Sequence, residues 1–238
     1  MLIGGLQKVS LLDFPEKIAC IIFTSGCNFR CPFCHNSGLV TSMCDPLLEE
    51  AEVFKFLKKR QGLLDGVVIT GGEPLLQKDI IPFIKKIKEL GYLVKLDTNG
   101  SYPQVLKSLV EENSIDYVAV DIKNTKALYN KTCGLVGGSL TKGLPPINFS
   151  ELEETINFLL TDKIDYEFRT TVVKELHDKE SLANLSTWVG KAKRHYLQNF
   201  KNSDTVIETG LHGYTDDELK EIYEEIAPRF NNLLLRGI

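Results

Sequence analysis

The chain has 238 residues, 43% hydrophobic and 25% charged, with 28 basic against 32 acidic side chains and a net charge of −4. That is material for one well-buried domain, and it carries no excess of positive charge to favour nucleic acid or an anionic membrane as a partner. No apolar run reaches membrane-spanning length, and Asp13, Glu16 and Lys17 stand where a signal peptide needs an apolar core, so the sequence predicts a cytoplasmic protein with no membrane segment. The six cysteines fit a reducing compartment and suggest no disulfide framework.

Residues 1–17 read as a turn-rich lead-in, with Gly4-Gly5 and Phe14-Pro15, that crosses the bottom of the domain ahead of a first strand at 19–23. That strand ends in Thr24-Ser25-Gly26 and runs into Cys27-Asn28-Phe29-Arg30-Cys31-Pro32-Phe33-Cys34, with His35 and Asn36 directly behind. An amphipathic helix is predicted over 47–60, where Leu48, Ala51, Val53, Phe54 and Leu57 recur at mostly helical spacing. A buried strand at 66–70 leads into Gly71-Gly72-Glu73-Pro74.

The alternation then repeats. A helix at 78–90 precedes a strand at 92–97, then Thr98-Asn99-Gly100 and a helix at 103–111. A strand at 117–121 runs into Ile122-Lys123, and a long Gly-rich and Pro-rich loop follows. Ser150, with Glu153 three residues on, reads as the capping box of the next helix. A strand at 164–173, a helix at 179–189, a strand at 195–200, a helix at 216–226 and a strand-like tail at 232–236 complete the chain.

Apolar strands alternating with helices imply right-handed βαβ units and a parallel sheet. Six such units fall short of the eight that close a barrel. The expected fold is α/β, an open partial (β/α)6 TIM-like barrel with parallel strands and a lateral mouth. It forms a single domain, with 1–18 as lead-in, 19–200 as the barrel and 201–238 as a C-terminal extension.

Three closely spaced cysteines at the C-terminal end of a strand invite a metal. A buried small-hydrophobe role does not explain three of them in a polar loop containing Asn28, Arg30 and Pro32. A zinc site with His35 as fourth ligand is the competitor to an iron–sulfur cluster. Zinc cysteines usually come in pairs answered by a second pair, and no second pair exists here. A four-iron cluster held by three cysteines would leave one iron open to a small molecule.

Gly71 and Gly72 let backbone approach a ligand closely, although Gly-Gly turns commonly just link a strand to a helix. Asp97, Asp121 and Lys123 fall at neighbouring strand ends, where charge needs a partner. That partner is either a ligand or an ion pair closing the barrel top. Arg169 suits a carboxylate held bidentately, or a salt bridge with Glu167 or Asp121. Gln198 is a further candidate. Cys20 and Trp188 read as core, His177, His195 and His212 as satisfied or exposed, and Cys44 and Cys133 receive no role.

The cysteine loop, with the aromatic Phe33 just before its third cysteine, closely resembles that of the radical S-adenosylmethionine enzymes. The resemblance implies a [4Fe-4S] cluster on Cys27, Cys31 and Cys34, whose open iron chelates the amino and carboxylate groups of S-adenosyl-L-methionine. It also implies that Gly71-Gly72-Glu73-Pro74 meets the amino group. Asp97-Thr98-Asn99 and Asp121 to Lys123 look like the stretches of glycyl-radical activating enzymes that contact the ribose and methionine portions, with a monovalent cation as a further ligand. Arg169 would hold the carboxylate, and His35 and Asn36 would shape the loop or position the adenosyl group.

The likeness covers nearly the whole chain. Ser10-Leu11-Leu12-Asp13-Phe14-Pro15, Cys34-His35-Asn36, Tyr166-Glu167-Phe168-Arg169-Thr170, Tyr196-Leu197-Gln198-Asn199-Phe200 and Leu235-Arg236-Gly237 together resemble the activators of anaerobic ribonucleoside-triphosphate reductase. In that subgroup flavodoxin or ferredoxin supplies an electron, S-adenosylmethionine is cleaved reductively to a 5′-deoxyadenosyl radical, and a glycine Cα of the partner enzyme gives up its hydrogen. Ser37 departs from the proline common at this position, and there is no inserted cysteine-rich segment for auxiliary clusters. The rival expectations are a radical enzyme acting on a small molecule, in the manner of 7-carboxy-7-deazaguanine synthase, and a non-catalytic zinc-binding interaction module.

Overall fold

The apolar runs fold side by side into a sheet whose strands keep their chain order, β1 to β8, among the described residues. The computed structural model describes residues 1–41, 48–136 and 144–238, so Cys44 lies outside it. In order, the elements are β1 (Ile3–Ser10), β2 (Ala19–Thr24), α1 (Ser37–Thr41), α2 (Glu50–Arg60), β3 (Gly66–Gly71), a 3-10 turn at Pro74–Leu76, α3 (Ile80–Glu89) and β4 (Leu93–Thr98). They continue with α4 (Pro103–Glu111), β5 (Tyr117–Asp121), α5 (Lys126–Thr132), α6 (Phe149–Leu159) and β6 (Asp165–Val172). The last are α7 (Lys179–Asn184), α8 (Ser186–Val189), β7 (His195–Asn199), α9 (Asp216–Ile226), a 3-10 turn at Ala227–Arg229 and β8 (Leu233–Arg236).

From β2 to β8 every neighbouring pair is parallel, as the βαβ pattern requires. The sheet thus has the mostly parallel, partial-barrel organisation expected. Alternate strand residues divide between two cores. Ile22, Ile69, Leu96, Val120 and Phe168 join the large cluster beneath the helices. Ala19, Ile21, Val68 and Tyr117 meet Phe14 in a small cluster on the other face, at the N-terminal ends of the strands. The polar chemistry is left to the C-terminal ends.

The helix α3 shows how the outer layer is held. Ile80, Phe83, Ile84 and Ile87 fall on one face and are all buried. Each contributes about 1.5–3 kcal/mol by leaving water.

The structure corrects five expectations. The lead-in is not merely turns, since β1 pairs antiparallel with β2 and makes an edge of the sheet. Its Gly4-Gly5 and polar Gln7-Lys8 hide the strand pattern. The long loop after β5 contains α5, which buries Tyr129. The helix near 150 is capped by Asn148, whose side chain accepts from Ser150 N, while Glu153 is engaged by Lys126. Asn is at least as good an N-cap as Ser and stands earlier in the chain. The predicted helix at 179–189 is two pieces, because Ser186 and Thr187 hydroxyls donate to the carbonyls of Ala183 and Asn184 and compete with the helix ladder. The helix predicted from 47 starts at Glu50, and residue 47 itself lies outside the described residues.

Trp188 is half-buried against the core, edge-on to Tyr129 at 5.9 Å. Among the described residues no helix is long and apolar enough to cross a membrane.

Candidate functional site

The cysteine loop leaves β2 through Gly26, whose φ of +95° suits glycine. Phe29 and Phe33 are buried and anchor it from below. The Arg30 guanidinium folds back to donate to the carbonyls of Cys27 at 2.7 Å and Phe29 at 2.8 Å. On the far side Arg30 N donates to Cys133 O at 2.9 Å, and Cys34 N closes a turn on Cys31 O at 3.0 Å. Cys31 is buried, while Cys27 and Cys34 are half-buried.

Burial pushes the Cys27 thiol up to about 12 and raises that of Cys34. Cys31 goes the other way, chiefly through the hydrogen bond from the buried Cys133 thiol. A metal that binds Cys27 and Cys34 therefore displaces protons that burial makes those two thiols hold firmly.

The glycines after β3 have a packing reason beside any ligand reason. A Cβ on Gly72 would stand 2.0 Å from Gly26 O, and one on Gly71, at φ +115°, 2.4 Å from Thr24 N and O. Gly72 N and Glu73 N instead donate to Thr24 O and Gly26 O, both at 2.9 Å, so this turn is laced to the start of the cysteine loop. Asn36 Nδ2 donates to Gly71 O at 3.3 Å from the other side.

Glu73 is fully buried, and both its oxygens are taken by protein donors. Thr98 Oγ1 donates at 2.7 Å, Leu75 N at 3.0 Å and Asn99 N at 2.7 Å. Burial nonetheless pushes its carboxyl up to about 7. Pro74 begins the 3-10 turn behind it.

Across the sheet, Arg169 on β6 stands level with Asp121 on β5. Its Nε donates to Asp121 at 2.8 Å and its Nη1 to Asp97 at 2.9 Å. Lys123 takes the other Asp121 oxygen at 3.0 Å, and the buried Lys95 takes the other Asp97 oxygen. Burial works against ionising Asp121, but Arg169 and Lys123 override it and hold the carboxyl far below the usual range.

The salt bridge of Arg169 with Asp121 that the sequence offered is thus present. Glu167 is not its partner, being gripped by Arg236 at 3.2 Å through both guanidinium nitrogens. Lys95 escaped sequence reading because a lone lysine in a strand looks like a solvated face. Its signal was its place two residues before Asp97, on the same side of β4.

These groups surround one cavity of about 280 Å³ at the C-terminal ends of the strands. Cys27, Cys31 and Cys34 line it with Phe33, His35, Asn36, Gly71 and Gly72, and Asp97, Thr98, Asn99, Asp121, Lys123 and Arg169 form the facing wall. Glu73 and Pro74 sit behind that wall. Gln198 reaches the cavity, as do Thr70 and Thr171, which sequence reasoning did not single out. His35 is exposed, with Nδ1 3.2 Å from Ser203 Oγ and its ring 5.4 Å from Phe200. Lys123 Nζ lies over the Phe33 ring at 5.8 Å.

The other histidines stay structural. His177 and His195 are buried, and His212 is exposed beside Glu175. Among the described residues no three His, Cys, Asp or Glu side chains converge as a single-ion site requires. Cys27, Cys31 and Cys34 nevertheless all line one cavity, so their sulfurs can serve a common ligand.

Residues 21–142 match the sequence model of the Radical SAM superfamily. The chain belongs to the radical SAM superfamily. Across its full length it is 30% identical to a protein of Methanocaldococcus jannaschii designated a candidate glycyl-radical enzyme activating enzyme, of which it covers 96%. Over 131 residues it is 32% identical to the pyruvate formate-lyase-activating enzyme of Clostridium pasteurianum, a match covering 51% of this chain and 52% of that one. Among solved structures, Streptococcus suis SuiB bound to S-adenosylmethionine superposes with a TM-score of 0.67 at 15% identity, covering 91% of this chain and 52% of that one, a likeness of fold.

The protein is accordingly a radical SAM enzyme of the glycyl-radical activating kind, and membership brings a [4Fe-4S] cluster and S-adenosylmethionine as its cofactors. The cavity rim meets their chemistry, with thiols on one side and a charged wall for an amino-acid ligand on the other.

Proposed function

We propose that Cys27, Cys31 and Cys34 ligate the cluster and that the enzyme generates a glycyl radical on a partner protein. Anaerobic ribonucleoside-triphosphate reductase is the proposed partner, and flavodoxin or ferredoxin the electron donor. The observation that carries this reading is that the three thiols, the Gly71-Gly72 turn and the Asp97–Arg169–Asp121 wall all face one cavity at the C-terminal ends of parallel strands. Cys27, Cys31 and Cys34 would hold the cluster, which would supply the one electron needed for reductive cleavage of S-adenosylmethionine and hence for hydrogen abstraction from a glycine Cα.

The chain's own groups bind, orient and exclude. Gly71 and Gly72 keep their stretch of wall free of side chains, so the amino-acid end of S-adenosylmethionine can lie against backbone. Lys95, Lys123 and Arg169 outnumber Asp97 and Asp121, and this local excess of positive charge suits the methionine carboxylate. The same two carboxylates are the candidates for a monovalent cation. Thr98, Asn36 and His35 stand where they could orient the ribose and adenine. Phe29, Phe33 and Val40 give the cavity an apolar side that keeps water from a reactive carbon radical.

The test is an anaerobic one. Reconstituted protein is mixed with dithionite, S-adenosylmethionine and a co-produced anaerobic reductase, and 5′-deoxyadenosine and a protein-based glycyl signal are followed by chromatography and electron paramagnetic resonance. Both should appear together. 5′-Deoxyadenosine without a radical on the reductase moves the substrate to another class, a small molecule included. A colourless protein that holds zinc removes the cluster assignment itself.

A further inference from the structure

The three motif cysteines need a fixed frame, and Cys27, the first of them, is followed by a side chain committed elsewhere. Asn28 Nδ2 donates to Ser101 Oγ at 2.9 Å, and its Oδ1 accepts from Asn99 Nδ2 at 2.8 Å. Ser101 Oγ in turn donates to Asn99 Oδ1 at 2.5 Å. The three side chains therefore close a ring in which each donates once and accepts at least once. Asn99 and Ser101 are each only 7% exposed, so the ring is shielded from competing water.

One side of this ring is rigid. Asn99 Oδ1 also accepts from Ser101 N at 3.0 Å, Asn99 N is held by Glu73, and Gly100 N by Thr98 Oγ1 at 3.1 Å. Gly100 O accepts from Thr155 Oγ1 at 2.7 Å, which ties the turn to α6. The other side is the start of the cysteine loop, where Arg30 grips Cys27 O.

We infer that Asn28, Asn99 and Ser101 form a clasp that fixes Cys27 against the end of β4, and that Asn99 acts through this clasp rather than by touching S-adenosylmethionine. The side-chain oxygen of Asn99 already takes two donors and its amide nitrogen serves Asn28. These are positioning residues. Their role is to keep the first ligand of the loop at a set distance from the wall that receives the amino-acid ligand, so the two binding events share one frame.

The inference rests on cluster ligation by the three cysteines and is independent of the partner's identity. Asn28→Ala, Ser101→Ala, Asn99→Ala and the Asn28→Ala/Asn99→Ala double variant are reconstituted anaerobically. Iron retained under a chelator, the resonance spectrum and midpoint potential of the reduced cluster, S-adenosylmethionine affinity per cluster, and the melting temperature of the cluster-free protein are then measured.

Loss of an outer partner of a metal ligand should lower cluster retention about tenfold in Asn28→Ala and Asn99→Ala. The double variant should be no worse than either single one, because both break the same ring. Asn99→Ala should change S-adenosylmethionine affinity per cluster no more than Asn28→Ala does, and the reduced-cluster spectrum should shift alike in both single variants.

Wild-type iron retention and spectrum in Asn28→Ala would overturn the clasp. So would additive losses, or an Asn99→Ala protein with full cluster and weakened S-adenosylmethionine binding. If Asn28→Ala fails to fold, Ser101→Ala decides, because it keeps the Asn28–Asn99 bond and removes the relay. Intermediate iron loss there supports the clasp, and none overturns it. If Cys27→Ser, Cys31→Ser and Cys34→Ser retain iron, the ligation reading has failed; if they lose it while the clasp variants behave as wild type, only the clasp has failed.

Discussion

Glu73, just past β3, accepts the backbone amide of Asn99, just past β4, at 2.7 Å and so joins the two turns that flank the cavity. Its burial fixes a pH dependence. The carboxyl has its ordinary value of 4.5 in the unfolded chain and about 7 in the fold, so between those values the folded state binds a proton that the unfolded state has released. Stability from this group is complete below the lower value and is lost as pH rises through the upper one. Denaturant unfolding of the cluster-free protein between pH 5 and 8 should show wild type losing up to about 3 kcal/mol relative to Glu73→Gln, which cannot ionise. Two curves that stay parallel across this window would contradict the burial of an ionisable Glu73.

Gly72 and Gly91 separate close approach from backbone conformation. A Cβ on Gly72 meets Gly26 O at 2.0 Å, whereas one on Gly91, at φ +86°, meets nothing within 4 Å. Gly72→Ala should cost more than about 3 kcal/mol because backbone must move. Gly91→Ala should cost only the left-handed strain of about 1–2 kcal/mol. Thermal unfolding of the two cluster-free variants checks the order, and equal melting temperatures would contradict it.

How much of this was legible in the sequence differs by layer. The parallel strands, the cysteine loop and the Gly-Gly turn were legible because each is a local pattern. The edge strand β1 was not, since its outward residues Gln7 and Lys8 are polar and its pairing with β2 is set by tertiary contact. Arg169 was legible as a carboxylate binder, but its fork between Asp97 and Asp121 joins three strands that only the sheet order brings level. Asn28 was legible only as a polar residue of the cysteine loop. Its meaning lies in Asn99 and Ser101, which reach it only when β4 lies two strands from β2.

Arg169 is the keystone of the charged wall, with its side chain 15% exposed between Asp97 at 9% and Asp121 at 32%. Arg169→Ala leaves Asp97 to Lys95 and Asp121 to Lys123 with one oxygen of each carboxylate unpartnered, and should cost about 1–3 kcal/mol at pH 7. Arg169→Lys keeps the charge but loses the planar fork, and should recover only part of that loss. Chemical denaturation of both variants is the check. Full recovery by lysine would mean that the fork itself contributes nothing.

The cysteines divide into two sets. Cys27→Ser, Cys31→Ser and Cys34→Ser should each abolish cluster assembly, read as bound iron and sulfide after reconstitution. Cys20→Ser and Cys133→Ser should assemble it. Cys20 is fully buried in β2, and serine at 133 retains a hydroxyl donor toward Cys31. Iron loss in this second set would mean that the ligand group is larger than three.

The most direct measurement of the central claim follows a hydrogen atom. An anaerobic ribonucleoside-triphosphate reductase labelled with α-deuterated glycine is incubated with the reconstituted protein, dithionite and S-adenosylmethionine, and the 5′-deoxyadenosine formed is weighed by mass spectrometry. If a glycine Cα is the hydrogen donor, the product carries one deuterium, in step with a glycyl radical signal on the reductase. 5′-Deoxyadenosine that forms at the same rate without deuterium, and without that signal, would contradict the activase reading.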